Sequence, residues 1–116
     1  MSKRAILVVD LQNEYWPTGN MPLEGIKAAA ENAAIVETMS KLPWAGFVAG
    51  TDKGDTRAKP EIWAEQAKFK KSADDMQAAV AQLNTAAKTG NLDAIKTAFG
   101  AAGKSCKACH DAFRKE

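Results

Sequence analysis

Several features that would point directly to a function are scarce in this chain. Sixteen Lys and Arg stand against 14 Asp and Glu, and the net charge of +2 is too small to indicate nucleic-acid binding. No apolar run approaches the roughly 18–20 residues of a membrane-spanning helix. The run 5–9 is shorter than the apolar core of a signal peptide, and Asp10 ends it. We therefore expect a single domain over residues 1–116, with no nucleic-acid or membrane partner and no targeting segment.

Cysteine and histidine are also scarce, and the three such residues lie within five positions. They form the sequence Cys106-Lys107-Ala108-Cys109-His110. C-x-x-C-H is the attachment sequence for c-type haem, in which each thiol adds to one vinyl group of the porphyrin and the imidazole binds the iron. The sequence therefore predicts one covalent haem c per chain, held by Cys106 and Cys109, with His110 as the metal ligand.

Three weaker interpretations of this motif stay open. A dithiol redox pair expects a thioredoxin-like setting and a helix N-terminus, whereas these cysteines lie near the end of a predicted helix. A zinc site needs about four ligands, and the chain has only three Cys and His residues. A chance motif without a cofactor is the third. None of them explains why the only histidine directly follows the second cysteine.

Helical periodicity is regular from residue 60 onward. Pro60 and Glu61 suit a first helical turn, and an apolar row at alternating steps of four and three residues then leads to Gly90, which is expected to end the helix. The row consists of Ile62, Gln66, Phe69, Ala73, Met76, Val80, Leu83 and Ala87. We expect one continuous helix, with Met76 in the core and not on iron.

A second helix is predicted to begin after Asn91, a favoured N-cap residue. Its apolar row consists of Leu92, Ile95, Phe99, Ala102, Cys106, Cys109 and Phe113. Both cysteines are therefore expected on the buried face, with His110 one turn from Cys106 on the same side. A third helix is predicted over residues 27–42, ended by Pro43, with Met39 in the core, and residues 44–59 are predicted to form a loop.

The first 25 residues do not share this pattern. Residues 6–9 read Ile-Leu-Val-Val, which is typical of a buried parallel strand, yet no later segment offers a partner strand. Residues 4–16 can also be read as a helix. We predict that they form a substitute first helix across the distal face of the haem, with Ile6, Leu7 or Val9 next to it.

Residues 32–116 resemble a cytochrome c′, a c-type cytochrome built as a four-helix bundle with its haem motif near the C-terminus. The matching stretches are 32–44 (NAAIVETMSKLPW), 50–56 (GTDKGDT), 62–63 (IW) and 104–115 (KSCKACHDAFRK). The implied fold class is all-α, a four-helix bundle of the cytochrome c′ type whose first helix is atypical or replaced. Residues 1–31 form a foreign-looking segment ahead of helices two to four of that family.

The resemblance implies a five-coordinate haem iron, with His110 on the proximal side and small gases such as NO and CO bound on the other. It places Arg114 one turn past His110, where a cation suits the haem propionates; the alternative is a surface arginine at a helix end. Phe113 is expected to contact the haem, and Trp63 to pack in the core or at the haem edge. Trp44 is expected to pack the loop over the bundle.

The implied activity is single-electron transfer, gas binding or both, and not catalysis. The resemblance also implies a periplasmic location, although this chain shows no export signal, and a homodimer. The redox partner protein is not identified by the sequence. An engineered or recombined haem scaffold without a physiological partner is the alternative.

Residues 4–34 resemble the opening of an isochorismatase-like cysteine hydrolase. The resemblance lies in residues 5–16 (AILVVDLQNEYW), 17–23 (PTGNMPL) and 28–34 (AAAENAA). Asp10 corresponds to the acid of that family's catalytic triad, and the two resemblances together imply a chimera. Because both cysteines belong to the haem motif, Asp10 has no nucleophile to serve, and we expect no hydrolase activity.

Overall fold

The computed structural model describes residues 22–116, and their side chains from residue 25 onward. Four α-helices follow one another: α1 (Pro22–Met39), α2 (Glu61–Ala64), α3 (Gln66–Thr89) and α4 (Leu92–Phe113), with a 3-10 helix over Pro43–Gly46 between α1 and α2. Residues 22–116 contain no β-strand, only an isolated bridge between Ala58 and Arg114. The all-α prediction is confirmed. Of the helices in this part of the chain, none is both long and apolar enough to cross a bilayer.

The core lies where α3 packs along α4 on one side and along α1 on the other. Its buried residues are Ala33, Val80, Leu83, Ala87, Ile95 and Ala102. Half of these residues are alanines, whose small side chains allow the helix backbones to approach closely. Met76 packs against this cluster, as the sequence predicted.

The turn between α3 and α4 forms as its sequence predicted. Gly90 adopts a left-handed conformation with φ of 69°, which ends α3 without the steric cost that a side chain would bring. The Asn91 side chain accepts a hydrogen bond from the Ala94 N–H at 3.0 Å and so caps α4. Because only these two residues join the helices, α3 and α4 run antiparallel.

The predicted continuous helix from residue 60 is wrong at one point. Glu65 has φ of −120° and ψ of 50°, which separates the single turn of α2 from α3. Ile62 is still buried, but Gln66, expected in the same apolar row, is exposed. The break changes the direction of the backbone. Residues before and after it therefore do not lie on one helical face, although their spacing in sequence fits one.

Helix α1 begins at Pro22, five residues earlier than predicted, and ends at Met39. Ala29 and Ala33 are buried as an apolar row should be. The next row is exposed, and Met39, which was expected in the core, is 46% exposed. Only one stripe of α1 faces α3, so a second row beside it has no partner among residues 22–116.

The predictions for the N-terminal segment lie outside the described residues. They include the substitute first helix over residues 4–16, the distal role of Ile6, Leu7 or Val9, and any role of Asp10.

Candidate functional site

The last three turns of α4 carry the motif residues. Cys106, Cys109 and His110 all lie inside this helix, so their spacing of three and four residues places them on adjoining turns of one face. Both thiols are free. Cys106 and His110 are exposed and Cys109 is half-buried. Two thiols and one imidazole are therefore available together to a group approaching from outside the helix.

The expected burial of both cysteines is wrong for Cys106. The predicted row of α4 is buried at Ile95, Ala102 and Phe113 but not at Cys106. Phe113 is covered by Phe69 on α3, whereas Cys106 is left uncovered by the neighbouring helices although it belongs to the same row.

Burial raises the pKa of the Cys109 thiol above its ordinary value, and the neighbouring Cys106 raises it further. The raised pKa favours the protonated thiol of Cys109 over the thiolate. A thiol in that state adds slowly as a free nucleophile and is not a preformed metal ligand. This argues against an activated dithiol as the purpose of the motif.

Five aromatic residues connect α4 with the loop after α1; we call them the aromatic cluster. They are Trp44, Phe47, Trp63, Phe69 and Phe113. Phe69 is at the centre, with ring centroids 5.3 Å from Phe113, 4.9 Å from Phe47 and 5.7 Å from Trp44, all edge-on. Edge-on pairs are worth about 0.5–1.5 kcal/mol beyond the area they bury. The cluster therefore holds the loop firmly against the bundle.

The two indoles of the aromatic cluster also fix the loop by hydrogen bonds. The Trp44 N–H donates to the Ser40 carbonyl at 2.7 Å, and the Trp63 N–H donates to the Val48 carbonyl at 3.0 Å. The expected packing of the loop by Trp44 is confirmed. Trp63 is half-buried, and its ring lies 6.2 Å from that of Phe47, which in turn packs on Phe69.

A groove of about 640 Å3 opens between the loop 44–49 and the first half of α3. Its walls are mostly apolar and aromatic, and Lys70 pairs with Asp74 at 2.6 Å among its lining residues. The other lining residues are Trp44, Phe47, Val48, Ala49, Gln66, Ala67, Phe69, Ala73 and Gln77. Cofactor pockets are commonly apolar and of roughly 300–1,000 Å3. Phe69 is shared by this groove and the contact with Phe113.

Sequence reasoning missed the position of Phe47 in this groove. Phe47 lies in a segment predicted only as loop, yet its ring packs on both Phe69 and Trp63. The available signal was composition, since Trp44 and Phe47 lie three residues apart in an otherwise small-residue stretch.

Arg114 lies just after the end of α4. Its backbone is extended, with φ of −120° and ψ of 136°, and its N–H donates to the His110 carbonyl at 2.9 Å. The side chain is exposed. Arg114 therefore follows His110 by one turn, as expected, but its backbone belongs to the bridge with Ala58 and not to the helix.

No group of three or more His, Cys, Asp or Glu in residues 22–116 is arranged to chelate a metal ion. Within this part of the chain a metal at His110 would find too few ligand atoms, and a porphyrin supplies four nitrogens. The free thiols on the same face match the covalent form of that group. The residues present thus fit a haem c.

A family model for cytochrome C' matches residues 9–114. The chain belongs to the cytochrome c′ family. It is 50% identical over 99 residues to the cytochrome c′ of Rubrivivax gelatinosus, a match that covers 84% of this chain and 76% of the relative. It is 45% identical over 98 residues to that of Alcaligenes xylosoxydans xylosoxydans, covering 84% and 75%.

Solved structures of cytochromes c′ have the same fold. The nitric oxide complex of a point mutant of cytochrome c prime from Alcaligenes xylosoxidans gives a TM-score of 0.79 at 39% identity, over 98% of this chain and 89% of that one. The Rubrivivax gelatinosus structure gives 0.74 at 43% identity, over 97% and 91%. The expected class, an all-α four-helix bundle of cytochrome c′ type, is confirmed.

Membership of this family assigns a haem cofactor to the chain. The match begins at residue 9 and so includes most of the segment that resembles a hydrolase. None of these matches supports the expected resemblance to an isochorismatase-like hydrolase, or a chimera.

Proposed function

We propose that this cytochrome c′ holds one haem c covalently through Cys106 and Cys109, with His110 as its only protein ligand to iron. The observation that carries the proposal is the common face of α4 on which two free thiols and the imidazole stand. Cys106 and Cys109 would each hold the haem through one thioether bond to a former vinyl group. The helix fixes the three attachment points relative to one another.

Bound haem supplies an iron that changes its charge by one electron and that binds small gases at a free coordination position. The chain contains no second histidine to occupy that position. Of the two methionines in the described residues, Met76 packs against the core and Met39 lies on the exposed side of α1. We infer five-coordinate iron, and structures of related cytochromes c′ in complex with nitric oxide support gas binding.

We assign the other site residues to the surroundings of the haem. Phe113 is buried one turn beyond Cys109 and positions the haem helix through Phe69. Arg114 places a permanent cation one turn beyond His110, where it would attract the propionates of a bound haem. Trp63 packs on Phe47 in the aromatic cluster, which would form the apolar surroundings that exclude water from the haem edge.

Covalent attachment is tested on protein matured with a cytochrome c assembly system. Its mass should exceed that of the polypeptide by one haem, and the pyridine haemochrome should show two saturated vinyl groups. Cys106→Ser and Cys109→Ser should each keep one vinyl group, and Ser105→Ala is the matched control with both bonds intact. Colourless protein with the bare polypeptide mass would refute the proposal, as would haem that acid acetone extracts.

Gas binding is tested by the absorption spectrum of the reduced protein with and without CO. A five-coordinate iron shifts its Soret band on CO addition. A spectrum of six-coordinate type that CO does not change would show that the chain supplies a second axial ligand, and would overturn the gas-binding part of the proposal.

We further propose a homodimer in the periplasm. Three large apolar side chains are exposed along the end of α1 and just after it: Ile35 is 49% exposed and Met39 46% on α1, and Leu42, three residues past its end, is 61% exposed. Burying such a row in a subunit interface removes it from water. Light scattering should give twice the chain mass, and Met39→Lys should give single chains. Fractionation of cells producing the native gene should place the protein with periplasmic markers.

A further inference from the structure

Four cationic residues meet where the loop before α2 lies alongside the end of α4. Ala58 and Arg114 form an antiparallel bridge there. The bridged segments 57–59 and 113–115 contain four Lys and Arg and no Asp or Glu. We call these four residues the basic patch: Arg57, Lys59, Arg114 and Lys115.

Backbone hydrogen bonds hold the two halves of the basic patch together. The Lys115 N–H donates to the Arg57 carbonyl at 2.7 Å, and the Lys59 N–H donates to the Phe113 carbonyl at 2.9 Å. Lys59 Nζ also donates to the Asp111 carbonyl at 3.1 Å. Arg57, Arg114 and Lys115 are exposed and Lys59 is half-buried. The bridge therefore fixes the backbone positions of the basic patch, and three of its four side chains face water.

The acidic residues next in sequence do not cancel this charge. They are Asp55, Glu61, Asp111 and Glu116. The Asp111 carboxylate is already paired with Lys107 Nζ at 2.6 Å, which leaves three carboxylates beside four cations. The bridge brings the four cations together, whereas these carboxylates lie outside the bridged segments. This end of α4 therefore keeps a small excess of positive charge.

That end is also the one where the proposed haem lies. Because the Arg114 N–H donates to the His110 carbonyl, the patch begins a single helical turn beyond the iron ligand. One turn is a rise of about 5.4 Å. A protein docked on the patch would therefore stand close to the haem.

We propose that the basic patch is the docking surface for an acidic protein that exchanges single electrons with this haem. The inference rests on the proposed haem site. One electron leaves the reduced acidic protein, which is thereby oxidised, and reduces the ferric iron; no atom is transferred. Exposed charges of this kind raise the encounter rate and orient the partner without giving tight binding. That suits a partner that must leave after each electron.

The first test measures oxidation of the reduced haem protein by two small reagents of opposite charge. These are hexacyanoferrate(III), an anion, and tris(phenanthroline)cobalt(III), a cation. Rates are compared at about 0.01 M and about 0.15 M salt, between which the Debye length falls from roughly 30 Å to roughly 8 Å. The wild type should react faster with the anion at low salt, and this preference should shrink at high salt.

The patch variant is Arg57→Glu with Lys115→Glu, and its matched control is Lys27→Glu with Lys96→Glu. Both pairs lower the net charge by four. Lys96 precedes Phe113 by 17 residues of helix, or about 26 Å, and Lys27 is next to Ile26, whose side chain lies near Gly90 at that same far end. The patch variant should react about tenfold more slowly with hexacyanoferrate(III) at low salt, and the control by less than about twofold. Equal effects of the two pairs would overturn the proposal.

The second test measures binding and does not need an active haem. A fluorescent poly-glutamate peptide should bind the wild type and the control in low salt and should bind the patch variant at least about tenfold more weakly. Phosphatidylserine vesicles are the competing probe. Vesicle binding without peptide binding would show a membrane surface as the occupant and would refute the proposal.

The two proposals fail differently. Colourless protein would remove the haem function, while peptide binding would still report on the patch. If the protein is coloured but the patch substitutions change neither its oxidation rates nor its affinity for the peptide, the haem function stands and the docking surface is refuted.

Discussion

The ring of Phe69 on α3 meets the ring of Phe113 on α4 edge-on, with centroids 5.3 Å apart. Phe113 is four residues beyond Cys109, so this contact fixes the end of the helix that carries the haem motif. Phe69 also touches Phe47 and Trp44. One side chain of α3 thus links the motif helix with the loop that covers the groove.

Removal of either ring should destabilise the fold. Phe113 is 6% exposed, and Phe113→Ala should cost about 3–5 kcal/mol in the free energy of unfolding. Phe69→Ala should cost less because Phe69 is only half-buried. In a double-mutant cycle measured by urea unfolding, the two changes should be coupled by about 0.5–1.5 kcal/mol.

Phe99→Ala is the control for this cycle. Phe99 is partly buried on the same helix and packs on the main core, outside the aromatic cluster. Its effect should add to that of Phe69→Ala. Equal coupling of both phenylalanines to Phe69 would show that the edge-on contact has no energy of its own.

The cap of α4 should be a separate source of stability. Asn91→Ala removes the acceptor for the Ala94 N–H and should cost about 1 kcal/mol, whereas Asn91→Asp keeps an acceptor at the same place. Urea midpoints of the two variants should differ accordingly. Similar midpoints would mean that water replaces the cap at no cost.

Gly90→Ala should be destabilising through the backbone alone. A Cβ at Gly90 would lie 3.8 Å from Ile26 Cγ2, an ordinary contact, so no clash is created. The positive φ is the obstacle, and it should cost about 1–2 kcal/mol for alanine. Asn tolerates this conformation better, so Gly90→Asn should unfold at a higher urea concentration than Gly90→Ala. If both variants unfold at the same urea concentration, the loss of stability comes from steric packing and not from the positive φ.

The thiols should differ in reactivity before haem is attached. Burial, assisted by Cys106, raises the pKa of Cys109, so Cys109 should be alkylated by iodoacetamide more slowly than the exposed Cys106. Mass spectrometry of peptides from briefly treated protein gives the ratio. In urea the two rates should become similar, because unfolding removes the burial.

The raised pKa of Cys109 also makes the free energy of unfolding depend on pH. The folded chain holds the Cys109 proton more tightly than the unfolded chain does, so the contribution is present below the ordinary thiol pKa and is lost as the pH rises through the raised value. The unattached chain should therefore lose stability in the alkaline range, and Cys109→Ala should reduce that loss. An unchanged alkaline slope in Cys109→Ala would assign it to another group.

Local chemistry made some of these elements predictable from sequence. The stop at Gly90 and the cap at Asn91 depend on one backbone conformation and one side-chain acceptor, and both can be read from residue type. The motif of α4 was equally local, since its spacing alone puts Cys106, Cys109 and His110 on one face. The haem class followed from those few residues.

Other features depend on contacts between helices, which the periodicity of the sequence does not predict. The break at Glu65 has no glycine or proline to announce it. The exposure of Cys106 depends on which side chains on neighbouring helices reach that level of α4. The exposed row of α1 shows that an apolar pattern does not by itself say which of two adjacent stripes meets the next helix.

The bridge between Ala58 and Arg114 joins residues 56 positions apart. Helix ends usually fray, since their last carbonyls have no partner in the helix. Here the final turn of α4 is held by a strand-like pair of hydrogen bonds, so the segment that carries the haem motif is anchored at its end as well as by its N-cap. We expect slow hydrogen exchange at the Lys59 and Lys115 amides, which form these hydrogen bonds. The backbone around His110 is then made rigid by residues 57–59, which lie far from the haem motif in sequence.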